Sequence, residues 1–158
     1  MVVRTNTRKQ LLSKVAEIYE WIDLQIQESA NLAGRCSACG KCCDFEGFDH
    51  KLFVTPPELI YLAANLGAEN ISILRSRATA KDEKPMSNSR CPYNIDGKCG
   101  IYEYRFAGCR IFFCNADKYF QSTLSESALK KFKSLCAQLS IPYRYSDLAT
   151  ALNNLAEI

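Results

Sequence analysis

Eight of the nine cysteines in this 158-residue chain form two groups whose spacing could bind metal. The first group places four sulfurs within eight residues, at Cys36, Cys39, Cys42 and Cys43. Its Cys-x2-Cys step is the short loop that lets two thiolates reach one tetrahedral ion, at Zn–S distances of about 2.3 Å. The second group is more widely spaced, at Cys91, Cys99, Cys109 and Cys114. The cysteines therefore predict a centre in which sulfur holds metal.

The adjacent pair Cys42 and Cys43 limits how the sulfurs can share metal. Side chains of neighbouring residues normally diverge, so both thiolates would strain to serve one tetrahedron. The pair suits two metal positions, or one ligand beside a spectator. Eight thiolates could hold two tetrahedral ions, or four could hold an iron–sulfur cluster while the others bind a second centre or none.

The histidine and charge counts exclude other classes of site. His50 is the single histidine, which rules out His-rich zinc sites, the two-histidine iron site and the zincin helix motif. The net charge of +3 is too small to predict a nucleic-acid surface, which would need a concentrated basic stripe.

Positive charge near the cysteines would stabilise thiolates. Six basic residues that could supply this charge lie close to the cysteines in sequence: Arg35, Lys41, Arg90, Lys98, Arg105 and Arg110.

No export or membrane segment is predicted. The N-terminal MVVRTNTRKQ runs into an amphipathic stretch and lacks the apolar core of about 7–15 residues that a signal peptide needs. No window reaches the roughly 18 apolar residues of a membrane helix. We therefore expect a cytoplasmic protein. In that reducing compartment clustered cysteines are expected to be metal ligands or redox centres and not structural disulfides.

Amphipathic helices are predicted towards both ends of the chain. From Leu11 to Ile26 apolar residues recur at three- or four-residue spacing, which predicts a long helix that ends near Gly34. A second long helix is predicted to start at Leu124-Ser125 and to be closed by Pro142. Its apolar face includes the ninth cysteine, Cys136, which is expected to pack as a small hydrophobe. Ser146-Asp147 then caps a last short helix with Leu148, Leu152 and Leu155.

The chain between the long helices is predicted to be less regular. Residues 51–55 are predicted to be extended, and a helix over about 56–66 follows, with Thr55 as its N-cap and Glu58 at N3. Another helix is expected around Ile71–Ala80, and the polar stretch Lys81–Ser89 is expected to be a surface loop.

An Asp-Gly turn at Asp96-Gly97 separates two of the cysteines. This dipeptide favours a tight chain reversal. The reversal could bring Cys91 and Cys99 together.

Three ordered segments carry a family resemblance. They are Cys36-x2-Cys39-Gly-Lys-Cys42-Cys43, Cys91-Pro92-Tyr93 with Gly97-Lys98-Cys99-Gly-Ile101-Tyr102-Glu103, and Arg105 with Cys109-Arg110-x-Phe112-x-Cys114. These segments resemble the YkgJ-type cysteine-cluster proteins, a family described as zinc- or iron-chelating domains. The resemblance covers about half of the chain. Phe106 and Phe113 stand where proline is common in the family, a change in loop rigidity that leaves the sulfurs in place. The resemblance implies a small, mostly helical domain in which all eight cysteines belong to the metal centre.

We therefore predict a mainly α protein with one domain over residues 1–158, in which long N- and C-terminal helices flank an irregular metal-binding core at residues 36–114. The predicted function is chelation of zinc or iron by eight cysteine thiolates, in a structural or storage module. An iron–sulfur redox protein is the alternative. An enzyme domain is a second alternative, because a related cluster occurs in flagellin lysine methylases. It is weaker, because this chain has no Gly-rich cofactor fingerprint. Metal ions are the expected partners, and no catalytic residue is predicted.

Overall fold

The computed structural model describes residues 5–36, 40–47, 51–66 and 90–154. Several predicted features lie outside these ranges: Cys39, His50, the helix around Ile71–Ala80, the loop Lys81–Ser89 and Leu155. The described chain is mainly helical, which confirms the predicted fold class. None of the helices in the described ranges is long and apolar enough to cross a bilayer.

The predicted N-terminal helix is present and is interrupted once near its end. Helix α1 spans Thr5–Glu28, and the short helix α2, Ala30–Ala33, follows after a break at Ser29. The apolar stripe faces inward, and its buried members are Leu11, Val15, Tyr19 and Ile22. Gly34 follows α2 with a φ of 72°, a left-handed conformation that glycine adopts at little cost. The stop predicted at this glycine is therefore confirmed.

The C-terminal long helix begins earlier than predicted. Helix α5 spans Lys118–Gln138, and its N-cap is Asp117, whose carboxylate accepts a hydrogen bond from the Phe120 N–H at 2.8 Å. The predicted start at Leu124-Ser125 is wrong, because Leu124 lies inside the helix and is buried. An N-cap aspartate satisfies N–H groups that the first helical turn leaves free. The first buried position of the helix is occupied by the polar Gln121, so the buried apolar pattern begins only at Leu124.

The end of α5 is made by its own backbone before Pro142 is reached. Ser140 has a φ of 54°, and the N–H of Ile141 donates to the carbonyl of Cys136 at 2.9 Å. This is the bonding pattern of a Schellman motif, which satisfies a carbonyl of the last turn. Pro142 thus lies beyond the stop and does not form it.

Helix α3, Pro56–Asn65, starts as predicted. Thr55 and Glu58 form a reciprocal capping box, in which the Glu58 carboxylate accepts from the Thr55 N–H at 2.8 Å. Strand β1, Phe53–Val54, precedes this helix and pairs antiparallel with β4, Ser146–Asp147. Asp147 also caps the last helix, α6, Leu148–Asn153. The pairing of β1 with β4 thus holds the N-terminal ends of α3 and α6 beside each other.

The second cysteine group is carried by a hairpin and a short helix. Strands β2, Asn94–Ile95, and β3, Lys98–Cys99, pair antiparallel. Asp96 and Gly97 at the turn have φ values of 52° and 80°, as the predicted Asp-Gly reversal requires. A 3-10 turn over Tyr102–Tyr104 and helix α4, Ala107–Ile111, follow.

The buried apolar residues form two clusters. One, here called the helical core, joins α1, α4 and α5 around Leu11, Val15, Ile111 and Phe132. The other, here called the cysteine-side core, joins α3, the hairpin region and α6 around Leu62, Phe106 and Leu148. Cys136 lies in the helical core and is 1% exposed, which confirms its predicted packing as a small hydrophobe.

Candidate metal centre

The hairpin region places two of the predicted ligands next to the first cysteine group. Cys91 precedes β2, and its N–H donates to the carbonyl of Cys43 at 2.8 Å. Gly100, next to Cys99, donates to the carbonyl of Tyr93 at 2.8 Å and so closes the hairpin. The backbone itself therefore holds Cys43 beside the strand pair that carries Cys91 and Cys99.

Backbone N–H groups point at two of these sulfurs. The Cys91 sulfur accepts from the N–H of Tyr93, and the Cys99 sulfur accepts from the N–H of Ile101. The donor lies two residues after the cysteine in both cases. Such hydrogen bonds favour the thiolate, because they stabilise its negative charge. The hairpin thus presents both sulfurs in local surroundings that suit thiolate ligands.

Gly40 lets the first cysteine group approach the hairpin closely. Its φ is 72°, and a Cβ there would lie against the carbonyl oxygen of Gly97 and 2.9 Å from the side-chain nitrogen of Asn94. The 3-10 turn Lys41–Cys43 starts directly after this contact. Any larger residue at position 40 would push Cys42 and Cys43 away from the hairpin.

Asn94 ties these pieces together and was not singled out from the sequence. Its side-chain amide donates to the Gly40 carbonyl at 3.4 Å, and its oxygen accepts from the Gly97 N–H at 3.1 Å. It also hydrogen-bonds to the Cys43 sulfur. An asparagine just before an Asp-Gly turn is ordinary turn chemistry, so only its distant contacts reveal this role.

The Cys43 sulfur is the meeting point of several hydrogen bonds. The thiols of Cys42 and Cys91 and the side chain of Asn94 hydrogen-bond to it, and these bonds lower the pKa of Cys43 well below that of a free thiol. The same bonds to Cys43 raise the pKa of Cys42 and of Cys91, and burial raises both further. The three sulfurs therefore titrate as one interacting group and not as independent thiols.

Helix α4 brings Cys109 close to Cys43 and Cys99. Burial, together with the nearby charges of Cys99 and Cys43, raises the pKa of the Cys109 thiol to about 12. Burial also raises the pKa of Cys99. The four sulfurs of Cys43, Cys91, Cys99 and Cys109 all lie against the cysteine-side core.

A buried carboxylate fixes the start of α4. Glu58 is 2% exposed and accepts a hydrogen bond from the Ala107 N–H at 2.8 Å. The Tyr19 hydroxyl, on α1, also reaches this carboxylate, at 3.5 Å. Burial raises the pKa of Glu58, while these donors favour its charged form. The α3 capping residue therefore also orients the helix that carries Cys109.

Some of the basic residues predicted to stabilise thiolates act on the cysteines, and Arg110 does not. Arg90 lowers the pKa of Cys43, and Arg105 lowers that of Cys99 and Cys109, although other causes dominate the shifts of all three. Arg110 is bound elsewhere. Its guanidinium donates to the Arg105 and Glu103 carbonyls at 3.0 and 2.9 Å and to the Asp23 carboxylate at 2.9 Å. Arg110 thus fastens α4 to α1 and to the preceding turn.

Cys36 and Cys114 lie on two exposed segments that touch each other. The N–H of Arg35 donates to the side-chain oxygen of Asn115 at 3.2 Å. Gly34 makes this approach possible, because a Cβ there would contact Asn115 and lie 3.2 Å from the Ala116 nitrogen. Both cysteines are exposed, as is Cys42. The charge of Cys36 contributes to the raised pKa of Cys42, after the hydrogen bond to Cys43 and burial.

Five of the described cysteines therefore lie near one another without forming a finished ligand shell. The thiols of Cys42 and Cys91 each hydrogen-bond to the Cys43 sulfur, and the charges of Cys43 and Cys99 act on Cys109. In the described ranges, no three Cys, His, Asp or Glu side chains are already arranged as a metal-binding group. Side-chain rotation would have to turn the sulfurs from one another towards a shared ion. Cys39 lies outside the described residues.

The chain matches one family model. The CxxCxxCC model, described as "Putative zinc- or iron-chelating domain", covers residues 35–137. The matched range includes all eight clustered cysteines and most of α5. No curated protein and no solved structure gives a significant match.

Proposed function

Because the chain belongs to the CxxCxxCC family of zinc- or iron-chelating domains, we propose that it binds these metals through its eight clustered cysteines. The proposed ligands are Cys36, Cys39, Cys42, Cys43, Cys91, Cys99, Cys109 and Cys114. One observation carries the proposal. Four cysteines from three separate chain segments, Cys43, Cys91, Cys99 and Cys109, pack in or against a single apolar core.

The donor set fits zinc and iron. Thiolates are soft ligands that select zinc, copper(I) and iron–sulfur clusters over hard cations such as magnesium. The N–H donors at Cys91 and Cys99 are aimed at the sulfurs, which is how proteins orient and tune sulfur ligands. A bound metal would cross-link the three segments that carry these sulfurs.

The chain's own residues prepare the sulfurs for deprotonation. Ligation needs thiolates, so metal binding must release the protons of thiols such as Cys91 and Cys109. Arg90 and Arg105 supply positive charge on the protein side, since each lowers the pKa of a nearby cysteine. Eight thiolates around two divalent ions would leave a centre of −4, from −8 and +4, so such compensation is needed.

The proposed module has a structural or storage role. Closed four-sulfur sites hold a fold together and leave no open position for a substrate. The same four sulfurs would also suit an iron–sulfur cluster, which would make the protein a redox carrier. The identity of the metal separates these two versions of the function.

Anaerobic purification of the full chain, followed by elemental analysis and an absorption spectrum, tests the proposal. We expect more than one metal atom per chain. A colourless protein with stoichiometric zinc identifies the structural module, and a coloured, air-sensitive one identifies iron–sulfur chemistry. Cys136→Ala, purified alike, is the matched control and should retain the same metal. A well-folded chain that carries neither zinc nor iron and takes up neither would overturn the proposal.

A further inference from the structure

We infer that the cysteines form two tiers: an inner metal position that holds the fold, and an outer position that exchanges its metal with solvent. This inference rests on the proposed function. It assigns different tasks to sulfurs that the sequence motif treats alike, including the adjacent residues Cys42 and Cys43.

The inner tier consists of Cys43, Cys91, Cys99 and Cys109. Cys91 is 7% exposed and belongs to the cysteine-side core, and the other three are half-buried and pack against it. Their carriers are a 3-10 turn, a hairpin and helix α4, which are joined by the hydrogen bond from Cys91 to Cys43. Four sulfurs match the closed tetrahedral shell of a structural site.

The outer tier includes Cys36, Cys42 and Cys114 among the described residues. All three are exposed, and none packs against the cysteine-side core. Cys36 and Cys114 lie on segments joined by the hydrogen bond from Arg35 to Asn115. Cys42 connects the tiers because it lies next to Cys43 on the same 3-10 turn. An ion held by these sulfurs would face water and could be reached by other ligands.

The 3-10 turn at Lys41–Cys43 explains why two adjacent cysteines belong to different tiers. Consecutive residues on such a turn are rotated by about 120° around its axis. Cys42 is accordingly exposed, whereas Cys43 packs against the core. One turn can therefore supply a ligand to each metal position. The vicinal pair then needs no strained geometry.

Exposure decides how fast each ion leaves. A competing thiolate or chelator can attack the outer ion directly and replace its sulfur ligands one by one, with no change of oxidation state. The inner ion would be shielded on one side by the core against which its four cysteines pack, so its complete release needs the hairpin or α4 to move away from that core. We therefore infer that the outer tier can hand a soft metal ion to a thiolate acceptor, whereas the inner tier retains its ion.

Timed zinc release from the full chain tests the two tiers. The zinc-loaded protein is challenged with excess EDTA, and the zinc left on the protein is measured over time in the parent and in single variants. We expect a fast and a slow phase, with rates that differ on the order of tenfold or more. Cys42→Ser should remove the fast phase and keep the slow one. Cys43→Ser should remove the slow phase and raise amide hydrogen exchange in β2 and β3.

Two further variants control for a misfolded variant by repeating the test at a second cysteine of each tier. Cys114→Ser should behave like Cys42→Ser, and Cys99→Ser should behave like Cys43→Ser. A single release phase in the parent, or the same lost phase in Cys42→Ser and Cys99→Ser, overturns the two tiers while leaving metal binding intact. A parent chain that binds no metal at all overturns the proposed function itself, so the two failures are distinguishable.

Discussion

The N–H of Cys91 donates to the carbonyl of Cys43 at 2.8 Å, which joins the two cysteine groups through the backbone. The same two residues also share a sulfur hydrogen bond. A backbone bond at this point fixes the separation of the two segments without relying on the side chains. The sulfurs can then rotate between bonding one another and binding an ion, while the chain around them stays in register.

Removal of metal should unfold the cysteine segments and spare the long helices. The described residues 35–36 and 40–44 include no buried side chain, whereas α1 and α5 pack together in the helical core. Structural zinc contributes on the order of 10 kcal/mol to the folding of small domains. Circular dichroism and limited proteolysis before and after chelation measure the effect. Unchanged protection at Arg35 and Lys41 would contradict the expectation.

Cys109→Ser and Cys136→Ala should separate a ligand from a core cysteine. Serine is a poor soft ligand, so Cys109→Ser should lower the metal bound per chain. Cys136→Ala should keep its metal and lose about 1 kcal/mol of stability, the scale of a small core truncation. Elemental analysis and denaturant unfolding give the two readouts. Equal loss of metal in both variants would show that α5 faces the sulfurs.

Sequence patterns predicted the parts of the fold that local chemistry determines. The apolar stripe of α1, the capping box at Thr55 and the Asp-Gly turn each depend on a few neighbouring residues, and all three are confirmed. The start of α5 failed for the same reason. Its cap at Asp117 precedes a first turn whose buried residue is the polar Gln121, and the buried apolar residues begin only at Leu124.

Long-range contacts at the site could not be predicted from spacing. Asn94 reaches Gly40, and Glu58 reaches Ala107, across large separations in the chain. Nothing in the local sequence distinguishes these residues from an ordinary turn residue and an ordinary capping residue. Arg110 shows the converse. Its position beside Cys109 predicted a thiolate partner, but its guanidinium is bound to carbonyls and to Asp23.

Arg110→Lys should destabilise the fold more than Arg105→Lys. Arg110 is 7% exposed, and its planar guanidinium holds two carbonyls and a carboxylate at once, which a lysine ammonium cannot reproduce. The loss should be about 1.5–3 kcal/mol, the range for hydrogen bonds that involve a charged group. Arg105 makes one hydrogen bond, to the Tyr102 carbonyl, and stacks on that ring. Denaturant melts of both variants give the comparison, and equal stability would contradict the fastening role of Arg110.

Asn94→Ala should weaken metal binding although Asn94 is not a ligand. The substitution removes the side chain that joins Gly40, Gly97 and the Cys43 sulfur, so the first cysteine group loses its hold on the hairpin. We expect a stability loss of about 1–3 kcal/mol from the broken hydrogen bonds, together with faster metal release. Asn65→Ala is the matched control, because Asn65 donates to the Tyr61 carbonyl at 2.8 Å within α3. Chelator competition and denaturant unfolding are measured on both variants. If Asn94→Ala lost stability yet released metal at the parent rate, the amide would serve the hairpin turn alone, and the link to Cys43 would have no part in holding the metal.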